Sequence, residues 1–160
     1  MKRMKKPGPK MLEIAIENVS GGPVPGDAYF RHWAEAAAPE GDAGVALRIV
    51  DAGESASLNQ TYRHKSGPTN VLSFPCEAPE GVPNEWLGDL VICGPVVEEE
   101  AREQHKSIEA HWAHMVVHGM LHLRGYDHLD EAEAEAMEAK EIAILDRLGY
   151  PNPYEEALPS

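Results

Sequence analysis

Cysteine is scarce in this sequence, and so are long apolar runs. The two cysteines, Cys76 and Cys93, do not form a CxxC pair, so they indicate neither a disulfide framework nor a cysteine-rich metal site. No stretch of about 18 or more apolar residues occurs, and the first ten residues lack the apolar core of a signal peptide. We therefore expect a soluble, cytoplasmic protein without a membrane partner.

Positive charge is also sparse. Fourteen lysines and arginines stand against 27 acidic residues, which gives a formal net charge of -13. Because affinity for nucleic acid comes largely from neutralised phosphates, this balance alone argues against such a partner. Many of the acids, however, fall in one predicted helix, where a solvated face is the ordinary interpretation. They are Asp130, Glu131, Glu133, Glu135, Glu138 and Glu141.

Hydrophobic periodicity predicts nine elements in the order β-α-β-α-β-β-α-α-α. This order predicts an α/β (α+β) fold, with a mixed four-stranded sheet packed by about five helices. We expect a single domain over residues 11–150, a basic flexible leader over 1–10 and a C-terminal tail over 151–160. The predicted strands are 12–16, 45–49, 70–74 and 87–93, and the predicted helices are 27–37, 54–64, 95–123 with a break near Ser107, and 131–148.

Histidines are concentrated in the segment HWAHMVVHGMLHLRGYDH. At about 100° per residue, His111, His114, His118 and His122 form one stripe of a helix, beside a separate apolar stripe. His118 and His122 are four residues apart, so their rings can converge on one metal ion. His111 and His114 are better explained as residues that line the cleft or complete the core.

The third ligand is expected from the loop after this helix. Gly125 lies where the helix should end, because glycine tolerates the left-handed conformation that turns the chain back. His128 then returns to the same point, and the spacing matches the HxxxHxxGxxH skeleton of metzincins. Three neutral imidazoles predict one Zn2+ ion with an open fourth position, as in catalytic sites, although they also suit nickel, copper or iron. Asp127 could orient a ligand imidazole or serve as a turn residue.

A second motif, LNQTYRHKSGPTNVLSFP at 58–75, places Arg63 and Lys65 before a tight turn. Together with HGMLHLRGYDH at 118–128, it resembles the YbeY family of bacterial metal-dependent endoribonucleases. The resemblance extends through LGDLVIC at 87–93 and EAHWAHMVVHG at 109–119, with the motifs in the same order.

The resemblance implies a single-strand-specific, zinc-dependent endoribonuclease that acts in 3′ maturation of small-subunit ribosomal RNA and in ribosome quality control. Its implied partners are single-stranded ribosomal RNA and the ribosome or ribosome-associated proteins. By the same resemblance, His118, His122 and His128 correspond to the metal ligands, and Arg63 corresponds to an arginine needed for catalysis.

Two other classes of function stay open. A non-catalytic ribosome-assembly factor would hold its zinc in a structural site, but such sites normally have a fourth protein ligand and none stands out. A zincin-like peptidase would carry a glutamate directly after its first histidine as general base. Gly119 occupies that position, which disfavours the peptidase.

Overall fold

A computed structural model of the chain describes residues 12–76 and 85–155. The predicted leader, residues 1–10, lies outside the described residues, as do residues 156–160 of the predicted tail. The predicted order of elements is confirmed, including the break before residue 108. The elements are β1 (Leu12–Asn18), α1 (Asp27–Ala37), β2 (Ala43–Val50), α2 (Ala52–Arg63), β3 (Val71–Pro75), β4 (Trp86–Cys93), α3 (Gly94–Glu103), α4 (Ile108–Leu123) and α5 (Glu131–Leu148).

The four strands form one mixed sheet in the order β1-β2-β4-β3. β1 pairs parallel with β2, and β2 pairs parallel with β4, whereas β3 pairs antiparallel with β4. The antiparallel strand places residues 71–75 at one edge of the sheet. The predicted mixed four-stranded sheet with five helices is therefore confirmed.

The two faces of the sheet are covered unequally. Because successive side chains of a strand point to opposite faces, Leu90 and Ile92 of β4 face the main core, formed with α1, α4 and α5. Val91 and Cys93 face a smaller cluster, which Leu58 of α2 joins. Helix α4, which carries the histidine stripe, therefore lies on the face of the sheet with the larger core.

Helix α4 packs its apolar stripe into this main core. The Ser107 side chain accepts a hydrogen bond from the Ala110 amide at 2.9 Å, which caps the helix N-terminus. Trp112 and Val116 are fully buried, and the helix ends before Gly125, whose φ of +98° turns the chain back. This geometry leaves the histidine stripe to face α3, α5 and the loop after Gly125. No helix in the described ranges is both long and apolar enough to cross a membrane.

Candidate metal centre

The structure brings the three predicted ligands together at the C-terminal end of α4. The Nε2 atoms of His118 and His122 lie 3.2 Å apart. The loop after Gly125 returns His128, whose ring centroid lies 6.2 Å from that of His118 and 5.3 Å from that of His122. Three imidazoles from two elements therefore border one space.

The helical pair has the spacing that a metal ion requires. Two nitrogens that are each about 2.0–2.1 Å from a tetrahedral zinc ion stand about 3.3 Å apart, and the observed separation is 3.2 Å. Burial lowers the pKa of His122, as do the neighbouring His118 and His128. A neutral imidazole is the form that binds a metal, so the pair formed by His118 and His122 fits one ion of the zinc type.

Behind this pair lies a carboxylate that sequence reasoning placed among solvated acids. Glu141 of α5 is only 1% exposed. Its Oε1 accepts from Nδ1 of His118 at 2.9 Å, and its Oε2 accepts from Nε2 of His114 at 2.7 Å and from the hydroxyl of Tyr154 at 2.6 Å. Assigning Glu141 to the solvated face was therefore wrong, because it lies on the one side of α5 that faces the histidine stripe.

This carboxylate fixes the chemistry of His118. Burial alone would raise the pKa of Glu141, but hydrogen bonds from His114, His118 and Tyr154 hold it at about 2. An ionised carboxylate only accepts, so Nδ1 of His118 carries the proton. Its Nε2 then directs a lone pair toward His122, as in the carboxylate–histidine arrangement typical of zinc sites.

A second grouping overlaps the first. Among the described residues, His114, His118 and Glu141 form the group of three whose ligand atoms all lie within 4.8 Å of one another, so they could hold a metal ion; His128 does not complete such a group with His118 and His122. The contacts of Glu141 with His114 and His118, 2.7 and 2.9 Å, are ordinary hydrogen-bond lengths with a proton between the atoms. This geometry favours an orienting role for Glu141 over a ligating one.

The remaining polar residues of the segment are engaged elsewhere. His111 is 3% exposed, and its Nε2 lies 2.9 Å from Glu100, which also accepts from Asn70. Asp127 accepts from the backbone amide of His128 at 2.8 Å, whereas the His128 ring Nδ1 lies 4.0 Å away. Of the two roles considered for Asp127, the structure favours the turn residue.

The three histidines open onto a cleft of about 810 Å³ between the end of α2, β3 and the loop after α4. Arg63, the last residue of α2, lines this cleft and is exposed. It forms no hydrogen bond or ion pair within the described part of the chain, so its guanidinium is available to a ligand. The lining also includes Tyr62, Asn70, Ser73, His118, His122, Asp127 and His128.

Other cations near the sheet and α4 already have partners. Arg48 pairs with Glu17 and Glu54, and Arg124 donates to the Ala37 carbonyl at 3.0 Å. Among the described residues that line the cleft, Arg63 is the only lysine or arginine. The negative net charge of the whole chain is therefore not a guide to the charge of the cleft.

Known proteins share this arrangement of fold and motifs. The family model described as Endoribonuclease YbeY matches residues 27–149. A curated relative from Methylococcus capsulatus, named Endoribonuclease YbeY, is 64% identical over 149 residues, which are 93% of this chain and 99% of that protein. The chain belongs to the YbeY endoribonuclease family. The solution structure of TM1509 from Thermotoga maritima matches the YbeY fold seen here with a TM-score of 0.55 and 30% identity, over 92% of this chain and 98% of that one.

The YbeY fold also explains the glycine after the first predicted ligand. A Cβ on Gly119 would lie 2.7 Å from Cδ2 of Leu90 and 3.3 Å from Cγ2 of Val71. The position therefore points into the side chains of β3 and β4. The glutamate of a zinc peptidase has no room here, which strengthens the argument against a peptidase.

Two buried side chains that were not predicted from the sequence stabilise the cleft wall of this YbeY member. The Ser55 hydroxyl donates to the carbonyl of Thr69 and accepts from its amide, both at 2.9 Å. Asn59 donates to the carbonyl of Gly67 at 2.9 Å. Both residues lie on the buried face of α2, and that helical spacing was the available signal. They fix the turn that follows Arg63.

Proposed function

We propose that this member of the YbeY family is a zinc-dependent, single-strand-specific endoribonuclease. His118, His122 and His128 hold one zinc ion with an open fourth position, and Arg63 is the catalytic cation. Its role is in 3′ maturation of small-subunit ribosomal RNA and in ribosome quality control. The observation that carries the proposal is the shared cleft, which three imidazoles line together with an arginine that has no partner among the described residues.

The metal, Arg63 and Glu141 would have different chemical roles in the reaction. When bound, the metal would polarise the scissile phosphate or acidify water at the cleft. Arg63 offers a planar fork that matches two phosphate oxygens and stabilises the charge that develops on them. Glu141 acts indirectly, through His118, because it keeps the proton on Nδ1 of His118 and leaves Nε2 free to bind the metal.

The preference for a single strand rests on charge and shape. Duplex binding depends on many phosphate contacts, and the cleft has one cation among its described lining residues. Tyr62 also lines the cleft and is 61% exposed, so its ring can stack on an unpaired base. Short contacts with unstacked nucleotides therefore fit this surface better than a helix does.

The experiment is a substrate panel. Protein stripped of metal and reconstituted with zinc is incubated with one sequence as single-stranded RNA, double-stranded RNA and single-stranded DNA, and with an unstructured peptide. We expect zinc-dependent cleavage of single-stranded RNA alone. Cleavage of the peptide would establish the zincin-like alternative, and zinc binding without cleavage of any substrate would establish the structural-zinc alternative.

Ribosomal involvement and location form a separate part of the proposal. We expect a cytoplasmic protein that cosediments with small ribosomal subunits, with residues 11–150 as its metallohydrolase domain. Depletion of the protein should cause 3′-extended small-subunit ribosomal RNA to accumulate. Normal 3′ ends in depleted cells would contradict the assignment to this maturation step.

A further inference from the structure

The segment after α5 folds back behind the histidine cluster. Although the family match ends at residue 149, Tyr154 reaches the same carboxylate that bonds His118. Its hydroxyl donates to Oε2 of Glu141 at 2.6 Å, while Oε1 accepts from Nδ1 of His118 at 2.9 Å. Two hydrogen bonds therefore connect the C-terminal segment to a predicted metal ligand.

We propose that Tyr154 is a positioning residue of the metal centre, whose hydroxyl fixes the Glu141 carboxylate and thereby the orientation and tautomer of the His118 ring. This inference rests on the proposed role of His118 as a metal ligand. It also extends the functional unit beyond residue 150, into the segment predicted from sequence to be a tail.

The turn that presents Tyr154 is held in place on both sides. The Lys106 ammonium donates to the carbonyl of Pro153 at 2.5 Å, and Oδ1 of Asn152 accepts from the Tyr154 amide at 2.8 Å. The Tyr154 ring meets the His114 ring edge-on, with centroids 5.5 Å apart at 84°. The hydrogen bonds of the turn and the packing of the ring therefore hold the Tyr154 hydroxyl next to Glu141.

The Tyr154 hydroxyl is one of three hydrogen-bond donors that hold the Glu141 carboxylate. Oε2 of Glu141 has two donors, Tyr154 and the His114 ring, and Oε1 has one. Burial raises the pKa of Tyr154, as does its bond to Glu141, so the hydroxyl remains a donor throughout the physiological range. Without the hydroxyl, Oε2 keeps only the His114 ring as a donor, so the orientation that Glu141 presents to His118 is less restrained.

The test compares two tyrosine hydroxyls that both donate to glutamates. Tyr154→Phe removes the bond to Glu141, whereas Tyr150→Phe removes a 2.7 Å bond to Glu109, which is not connected to the histidine cluster. Zn2+ affinity is measured by competition with a chromogenic chelator, and the d–d spectrum is recorded with Co2+. Because deleting an outer partner usually weakens metal binding about 10- to 100-fold, we expect that loss for Glu141→Gln and about 3- to 10-fold for Tyr154→Phe. Tyr150→Phe should stay within about twofold of wild type.

Two further variants complete the test. Tyr154→Ala distinguishes the contribution of the hydroxyl from that of the ring, and His122→Ala distinguishes a failure of this inference from a failure of the proposed function. If the hydroxyl acts as proposed, Tyr154→Phe and Tyr154→Ala weaken Zn2+ binding alike, and both alter the Co2+ spectrum. A Tyr154→Phe protein with wild-type affinity and spectrum would overturn the inference. His122→Ala in the same series reports on the ligand set: metal binding that survives this change would overturn the proposed centre itself. Loss in His122→Ala without loss in Tyr154→Phe would overturn only the role of Tyr154.

Discussion

The two halves of α4 carry the same residue type on the same face and use it differently. In the first half, His111 and His114 are 3% and 7% exposed, and each has a carboxylate within 2.9 Å. In the second half, His118 and His122 border the cleft and turn their Nε2 atoms toward each other. His118 uses only Nδ1 for its carboxylate. Burial and pairing, rather than residue type, therefore separate a core histidine from one that can bind a metal.

The largest expected effect comes from removing a histidine of the second half of α4, and a histidine of the first half provides the comparison. His122→Ala should lower zinc affinity by more than about 100-fold, beyond the usual loss for an outer partner, and abolish RNA cleavage. His111→Ala, assayed on folded protein, should keep its zinc because its nitrogen is committed to Glu100. Elemental analysis after gel filtration checks both variants. Equal loss of metal in the two variants would contradict the different roles assigned to the histidines of the two halves of α4.

The second prediction separates the metal from the cation across the cleft. Arg63→Ala should retain zinc and fold but lose cleavage of single-stranded RNA by a factor on the order of 100 to 1000, the usual cost of one transition-state donor. Arg63→Lys should recover little, because it restores the charge without the planar fork. Single-turnover rates with saturating metal give the comparison. A rate for Arg63→Ala within about threefold of wild type would show that Arg63 is only a surface cation.

The third prediction concerns the apolar stripe between the two cleft histidines. Gly119→Ala should lower the free energy of unfolding by about 1–3 kcal/mol, because the new methyl group must displace the buried Leu90 side chain. Gly53→Ala in α2 is the control, since its Cβ would meet only Asp51 Oδ1 at an ordinary 3.5 Å. That change should be neutral or stabilising by up to about 1 kcal/mol. Urea denaturation of the metal-free proteins measures both, and equal effects would contradict close packing at Gly119.

The smallest expected effect tests the buried half of α4. Burial alone would raise the pKa of Glu100, but hydrogen bonds from His111 and Asn70 outweigh it and the pKa is lowered. A carboxyl with a lowered folded-state pKa stabilises the fold above its unfolded pKa of about 4.3, and this contribution disappears as the pH falls through the folded value. Glu100→Gln should therefore cost about 1 kcal/mol at pH 7 and almost nothing at low pH.

The exposed Glu103, also in α3, provides the matched control for this pH series. Glu103→Gln should leave the stability nearly unchanged across the same range. Denaturant titrations at several pH values below 7 give the curves. A Glu100→Gln deficit that stays constant down to about pH 2 would show that shape rather than charge explains the loss, since a carboxyl protonated there has no charge to contribute.

Local information explains what was predicted correctly. Periodicity and helix-breaking residues gave the nine elements, because the alternation of apolar side chains reflects directly which face of an element is buried. The spacing of His118 and His122 followed from helix geometry alone, and Gly125 marked the turn because a positive φ favours glycine there. These features depend on neighbours within a few residues, which the chain order already specifies.

Tertiary structure alone decided which partners these side chains meet. Glu141 lies 23 residues from His118 and Tyr154 lies 40 residues from His114, and no periodicity within either segment connects them. Periodicity places Glu141 on the same side of α5 as Met137 and Ile144, but whether that side meets the histidines depends on how α5 packs against α4. The chain itself thus determined the histidine pair and the helix that carries it. Packing of α5 and the segment after it determined the proton on His118, because a hydrogen bond between distant residues exists only once the core has brought them together.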